Sequence, residues 1–301
     1  MAYLKSLHKS LKVLVTLITL VAALLNQIHL GLQPTREVYP KQEGSIRVMS
    51  FNVLYDGKNE RAMKNRRGIA VEKILQIDPD ILGVQEATHE WMKWFNSKLK
   101  DYKHVGVGRD DGDIEGEFAA IFYHKDKYKL LDSGTFWISE TPDIPSRSWA
   151  SACNRICTWA VFEDLKTGQK FAHLNTHLDH VSNQARQKGV EMILDKAAEY
   201  GGLPVIVTGD FNFRENSALY KTITADLLED TKFAAPDTMH HATFHNFMPA
   251  GMQGDTILDY IFVSKNIRSL LYRVETQGVD GRAVSDHYPI YADLILNPPL
   301  D

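Results

Sequence analysis

The stretch Val205-Ile206-Val207-Thr208-Gly209-Asp210-Phe211-Asn212 decides how this chain is to be read. Its β-branched apolar run ends in Gly-Asp-x-Asn, the pattern of a buried strand that delivers a carboxylate and a carboxamide at its C-terminal edge. Open α/β sheets place their ligands at that edge. Gly209 allows close approach of the backbone, Asp210 supplies charge or accepts a proton, and Asn212 supplies a neutral donor that orients an anionic group. Alone, the stretch is equally an ordinary turn in which Asp and Asn cap backbone amides. The rest of the chain has to choose.

Other segments end in the same way. Ile46–Asn52 alternates as a strand and stops on Asn52, and Ile81-Leu82-Gly83-Val84-Gln85-Glu86 is a buried run that stops on Glu86. Glu86 also reads as a helix cap, since Thr88 and Glu90 open the next helical stretch. Residues 155–162 and 171–178 alternate as a hairpin around Lys166-Thr167-Gly168, and the second strand finishes in Asn175-Thr176-His177-Leu178-Asp179-His180. A strand over 258–263 carries Asp259, and Ser285-Asp286-His287-Tyr288-Pro289 precedes the last strand, Ile290–Leu296. Amphipathic helices are expected over 61–76 and 184–200.

Strands over 102–107 and 118–123 flank the acidic loop 108–117, which lacks the ordered ligand spacing of a calcium loop and reads as a solvated turn. Glu117 differs, because it enters a strand. Trp137, in Phe136-Trp137-Ile138-Ser139-Glu140-Thr141-Pro142, is either core or a substrate wall.

With 301 residues, 44% hydrophobic, and no repeat or linker between residues 46 and 296, the chain reads as one catalytic-size domain (44–301) behind an N-terminal extension (1–43). A net charge of -4 argues against a non-specific nucleic-acid binder, yet leaves room for an enzyme that reaches phosphate esters through a metal. Cys153 and Cys157 would lie about 13 Å apart on a strand, too far for a disulfide, although in a loop they could meet; they are read as buried or free thiols. Lys5, His8, Lys9 and Lys12 precede an apolar run over 13–25 that is short for a spanning helix. It reads as a secretory signal or a retained membrane anchor, and either places the domain outside the cytoplasm.

The strand-end set Asn52, Glu86, His177, Asp210, Asn212, Asp259, Asp286 and His287 contains carboxylates, carboxamides and imidazoles, without a thiol or a Ser-His-Asp order. Oxygen ligands of this kind suit Mg²⁺ or Mn²⁺, and the imidazoles suit proton transfer and anion stabilisation. Metal-assisted hydrolysis of a phosphate ester is the chemistry expected.

Ser50-Phe51-Asn52, Gln85-Glu86, Asn175-Thr176-His177, Gly209-Asp210-Phe211-Asn212, Leu258-Asp259-Tyr260 and Ser285-Asp286-His287 resemble, in order, the motifs of the endonuclease/exonuclease/phosphatase superfamily. The resemblance implies a four-layer α/β/β/α sandwich with two packed mixed sheets. It implies Glu86 as principal metal ligand with Asn52 and Asp286, His287 paired with Asp259 to assist the attack, Asp210 and Asn212 orienting nucleophile and phosphate, and His177 contacting a phosphate oxygen. Glu117 resembles the acidic partner of this His in the secreted pancreatic-deoxyribonuclease branch. Leu54 stands where apurinic-site nucleases carry an acidic residue, which argues against a second ligand there and against abasic-site repair.

Gly108-Arg109-Asp110-Asp111-Gly112, residues 136–142 and Asn154-Arg155-Ile156-Cys157-Thr158-Trp159 resemble a bacterial, often exported subgroup of metal-dependent hydrolases. Arg155 is a candidate phosphate contact or a structural ion pair. The leading expectation is an exported phosphoesterase acting on a small or lipid-linked ester. A secreted nuclease is the alternative, opposed by the lack of a basic stripe beyond Arg61, Lys64, Arg66 and Arg67. A catalytically silent binding protein of the same fold is third, and the filled catalytic positions oppose it.

Overall fold

Alternation along a strand sends successive side chains to opposite faces, and in this chain one face of each central strand changes character along its length. In β1 (Ile46–Asn52) that face reads Ile46, Val48, Ser50, Asn52. In β2 (Ile81–Gln85) it reads Ile81, Gly83, Gln85, and in β7 (Lys170–His177) Phe171, His173, Asn175, His177. In β8 (Val205–Asp210) it reads Ile206, Thr208, Asp210, and β11 (Asp259–Ser264) runs the series backwards as Asp259, Ile261, Val263. Each stripe therefore passes from apolar side chains at one end to polar or ionisable ones at the other. Stacking such strands in register makes a dry core that turns polar at one edge.

The computed structural model describes residues 39–56, 61–248 and 255–296, and both sheets belong to the unit that spans 41–301. The run 13–25, read as a signal or anchor, lies outside the described residues, among which no helix is long and apolar enough to cross a membrane. The remaining strands are β3 (Tyr102–Val105), β4 (Ile121–His124), β5 (Tyr128–Trp137), β6 (Ile156–Asp164), β9 (Leu228–Asp230), β10 (Asp237–Thr238), β12 (Ile267–Val274) and β13 (Ile290–Leu296). Two mixed sheets result, in the orders β10-β12-β13-β1-β2-β4-β3 and β5-β6-β7-β8-β11-β9.

The sheets face one another across a shared core in which Val48, Ile81 and Ile121 of the first meet Phe162, Phe171, Ile206 and Ile261 of the second, all fully buried. Each such side chain contributes about 1.5–3 kcal/mol of burial. Helices cover the outer faces. On the second sheet, α3 (Asn183–Ala198) and α4 (Ala218–Ile223) bury Val190, Ile193 and Ile223 with Leu174, Val207 and Phe262. On the first, α1 (Met63–Ile77) and α2 (His89–Lys98) pack together, and Phe95 meets Phe122 edge-on at 5.7 Å. The expected α/β sandwich of two packed mixed sheets is the one found.

Near the functional edge the sheets are joined by polar groups. Asn175 accepts from Gln85 Nε2 (2.7 Å) and Thr208 Oγ1 (3.0 Å), and donates to the carbonyls of Val84 and Ala120. Gly83 makes this possible, since a Cβ there would lie 2.4 Å from Thr208 Oγ1 and 2.6 Å from Asn175 Oδ1.

Most expected elements are present with shifted ends: the first helix is Met63–Ile77 and the hairpin is β6–β7. The expected strand over 118–123 begins only at Ile121, Phe118 making isolated bridges to Ala87 and Gly108. The sequence reading lacks β5, whose middle is polar and largely exposed, and β12, whose alternation breaks at an irregularity between Ser269 and Leu271. Trp137 is core, 5% exposed, with its indole donating to the Arg109 carbonyl, so it forms no substrate wall. Both cysteines are free thiols.

Candidate active site

Register decides which residues meet. His177 of β7 is paired with Asp210 of β8, which is paired with Asp259 of β11, so three ionisable groups form one row across the second sheet. In the first sheet Asn52 sits beside Gln85, one residue before Glu86. Face-to-face packing then brings Asn52 within 2.9 Å of Asp210 Oδ2 and 3.0 Å of Glu86 Oε1, with its side-chain nitrogen donating to both.

Three strand exits turn through the left-handed region without glycine: Leu54 (φ 56), Glu86 (φ 59) and Asn212 (φ 50). Non-glycine residues held there cost about 1–3 kcal/mol each, and such strain collects where function demands a geometry. Each turn is held by hydrogen bonds to the site. The Leu54 amide donates to Asn52 Oδ1 (3.0 Å), the Tyr55 amide to Glu86 Oε2 (3.0 Å), and the Asn212 amide to Asp210 Oδ1 (3.0 Å).

His287 closes the site from the segment before β13. Its Nδ1 lies 2.8 Å from Asp259 Oδ2 and its Nε2 3.7 Å from Asp210 Oδ2. Burial opposes charge on the ring, but Asp259 and Asp210 outweigh it and push the pKa up to about 10. The ring therefore carries a proton on each nitrogen: Asp259 holds Nδ1–H and fixes the ring's orientation, and Nε2–H points toward Asp210. Asp259 is itself positioned by Thr243, whose hydroxyl oxygen accepts from the Leu258 and Asp259 amides.

On the opposite side, His177 Nε2 lies 3.1 Å from Asn212 Nδ2 and 3.5 Å from Asp210 Oδ2. Burial first, then Arg155 and Arg109, hold this imidazole well below its ordinary pKa, so it is neutral and accepts from Asn212. Asp210, between the two imidazoles, is raised to about 7 by burial, with His287 opposing and Asp259 adding to the rise.

The donor set fits a hard divalent cation. Ligand atoms of Glu86, His177 and Asp210 lie within 4.8 Å of one another, as do those of Asp210, Asp259 and His287. Asp286 has its pKa raised by burial, with His287 opposing and neighbouring Glu86 adding to the rise, so two carboxylates face one another here. Asn52 faces these carboxylates as a donor here; ligation through its oxygen requires the amide turned over.

Glu117 and Arg155 occupy a second ring behind His177. Glu117 is held by Arg109 in a two-pronged pair (2.6 and 2.9 Å), leaving its Oε2 4.0 Å from His177 Nδ1, beyond hydrogen-bond range. Arg155 is 4% exposed, contacts His180 Nδ1 at 2.8 Å and lies 3.5 Å from Asp179, yet it also lines a small cavity with Glu86, Glu117 and His177. It makes the structural ion pair without leaving the site's edge.

The sequence reading missed two arginines. Arg109 lies in the loop 108–117 expected as a solvated turn, yet it holds Glu117 beside His177. Arg66, counted among surface basic residues, is 2% exposed and donates to the carbonyls of Val53, Leu54 and Val284, tying the exit of β1 to the segment that carries Asp286. Burial lowers its pKa to about 10, against the raising effect of Asp286, Asp56 and Glu86. An arginine on an amphipathic helix gives no sequence signal of this role.

A profile of the Endonuclease/Exonuclease/phosphatase family matches residues 49–287. The endonuclease/exonuclease/phosphatase from Bacteroides vulgatus is 37% identical, with a TM-score of 0.80 over 84% of this chain and 99% of that one. The mannosyl-6-phosphatase Bt3783 of Bacteroides thetaiotaomicron is 33% identical, with a TM-score of 0.79 over 84% of this chain and all (100%) of that one. Nocturnin of Rattus norvegicus is 25% identical over an alignment of 281 residues that covers 81% of this chain and 63% of nocturnin.

Proposed function

From the premise that this chain belongs to the endonuclease/exonuclease/phosphatase family of phosphoesterase hydrolases, we propose that it is an exported Mg²⁺- or Mn²⁺-dependent enzyme hydrolysing a small phosphate ester, sugar phosphates first among them. The observation that carries this is the convergence of Asn52, Glu86, His177, Asp210, Asn212, Asp259, Asp286 and His287 on the polar edge of two packed sheets. Similarity to a mannosyl-6-phosphatase over nearly the whole fold supports the sugar-phosphate class.

Glu86 and Asp286, with Asn52, would hold the cation. When bound, it would neutralise phosphoryl charge and orient the ester. The residues supply the rest. His287, its Nδ1 proton fixed on Asp259, offers Nε2–H to a phosphoryl oxygen whose charge grows in an in-line transition state. Asp210 lies between the two imidazoles and is placed to take a proton from the attacking water. Asn212 and neutral His177 orient the phosphate and the nucleophile. Glu117, held by Arg109, fixes the wall behind His177, and Arg155 lines the same wall. The net charge of -4 and the burial of Arg66 weigh against the nuclease alternative. Export rests on the basic, then apolar, segment before residue 26, which acts as a signal or a membrane anchor.

The test is hydrolysis of sugar phosphates, aryl phosphates, inositol phosphates, sphingomyelin, RNA and plasmid DNA, before and after chelation and with Glu86→Ala. Turnover of one small-ester class that needs a divalent ion and Glu86 is expected. Preferential cleavage of nucleic acid, steeply weakened by salt, would favour the nuclease instead.

A further inference from the structure

The described residues line a half-open cavity of about 240 Å³ that shares His287 with the catalytic edge and extends away from it between the segment after Thr243 and the loop joining β12 to β13. Resting on the phosphoesterase reading, we infer that this cavity is the subsite for the alcohol part of the ester, and that it takes a single polyhydroxylated ring, a hexose phosphate bound by its sugar.

Size is the first argument. A cavity of about 240 Å³ has room for one saturated six-membered ring with its hydroxyls.

Lining is the second. Phe247 and Tyr288 give the cavity aromatic wall, while Glu275, Gln277 and Arg282 bring an acceptor, an amide and a cationic donor to it. A pyranose has one apolar face and a girdle of hydroxyls that each donate and accept, so it needs both kinds of surface. A nucleobase favours a sandwich between two aromatic faces. Among the rings that line the cavity, His245 and Tyr288 are stacked on each other at 4.1 Å and 25°, so no base can enter between those two.

Attachment is the third. The amides of His245 and Asn246 both donate to the Asp286 carbonyl (2.9 and 3.1 Å), Phe244 packs on the His287 ring at 4.9 Å, and Arg61 covers Phe247 at 4.5 Å. Asn246 (φ 47) and Phe247 (φ 56) are both held in the left-handed region. The wall of the cavity is thus built onto the backbone of Asp286 and moves with the site.

The test uses the full chain carrying Glu86→Gln, so that esters bind without turnover, and titrates hexose 6-phosphates, methyl phosphate and nucleoside 5′-monophosphates in the presence of Mg²⁺. A hexose 6-phosphate is expected to bind at least tenfold tighter than methyl phosphate. Ala283→Leu, which fills the cavity, and Arg282→Ala, an exposed change that leaves the core alone, should each erase most of that advantage. In the active chain the same two changes should lower the ratio of kcat/KM for hexose 6-phosphate over methyl phosphate by a similar factor. Equal affinity for the two esters, an advantage that survives both substitutions, or tightest binding of a nucleotide would each overturn the inference. If the binding preference is found and depends on the cavity while no ester is ever hydrolysed, the subsite stands and the hydrolytic reading falls.

Discussion

His173 offers a quantitative test of how the core beneath the site is built. It lies on the inner face of β7, fully buried, with Nε2 2.8 Å from Thr208 Oγ1 and Nδ1 without a hydrogen-bond partner among the described residues. Burial lowers its pKa from 6.5 to about 3. The unfolded chain takes up this proton near pH 6.5, whereas the folded chain refuses it until about pH 3. The contribution is therefore complete above the unfolded value and is lost as pH falls through that window, at about 1.4 kcal/mol per pH unit. Between about pH 7.5 and pH 5 this one group should remove about 2 kcal/mol of stability. His173→Gln, which can still reach Thr208, should be less stable at neutral pH but lack this component. The assay is urea unfolding of both proteins at several pH values, reading the difference in their slopes, because other buried titrating groups, such as Asp230, raised to about 6 by burial, are common to both. Parallel pH profiles for the two proteins would refute the reasoning and mean that His173 is protonated, or reached by water, in the fold.

Gly83→Ala should destabilise by about 1–3 kcal/mol, because its methyl group enters the Thr208–Asn175 hydrogen bond between the sheets; thermal unfolding checks this, and an unchanged Tm would show that the sheets separate easily. Asp259→Asn should cut kcat by about 10²-fold or more with little change in KM, since it removes the group that holds Nδ1–H and fixes the orientation of the His287 ring; a change confined to KM would assign Asp259 to binding. Arg66→Gln should cost about 2–4 kcal/mol by leaving several buried carbonyls without a donor, and should raise the divalent-ion concentration needed for half-maximal activity by loosening the Asp286 segment; calorimetry and metal titration of activity read the two effects.

Much of the site was legible because most of its groups lie at or close to a strand end. Asn52, His177 and Asp210 close runs whose alternation is visible in sequence, and Glu86 follows a short buried run. The fold was legible for the same reason, except where the pattern fades: β5 is polar in its middle, and β12 loses its alternation at an irregularity. Arg109 and Arg66 were not legible. A charged side chain in a turn or on a helix looks the same in sequence whether it meets water or a buried carbonyl, and only its surroundings separate the two.

What the sequence determined by itself is the chemistry at each strand end and the apolar-to-polar gradient leading to it, because both follow from side-chain identity and a period of two. Tertiary structure alone decided which ends meet. The pairing of His177 with Asp210 and Asp259, the bridge from Asn52 to Asp210, and the arginines that hold the rim all depend on register and on one sheet packing over another. Those are long-range choices, set by the burial energy of the whole core, and no local stretch of the chain encodes them.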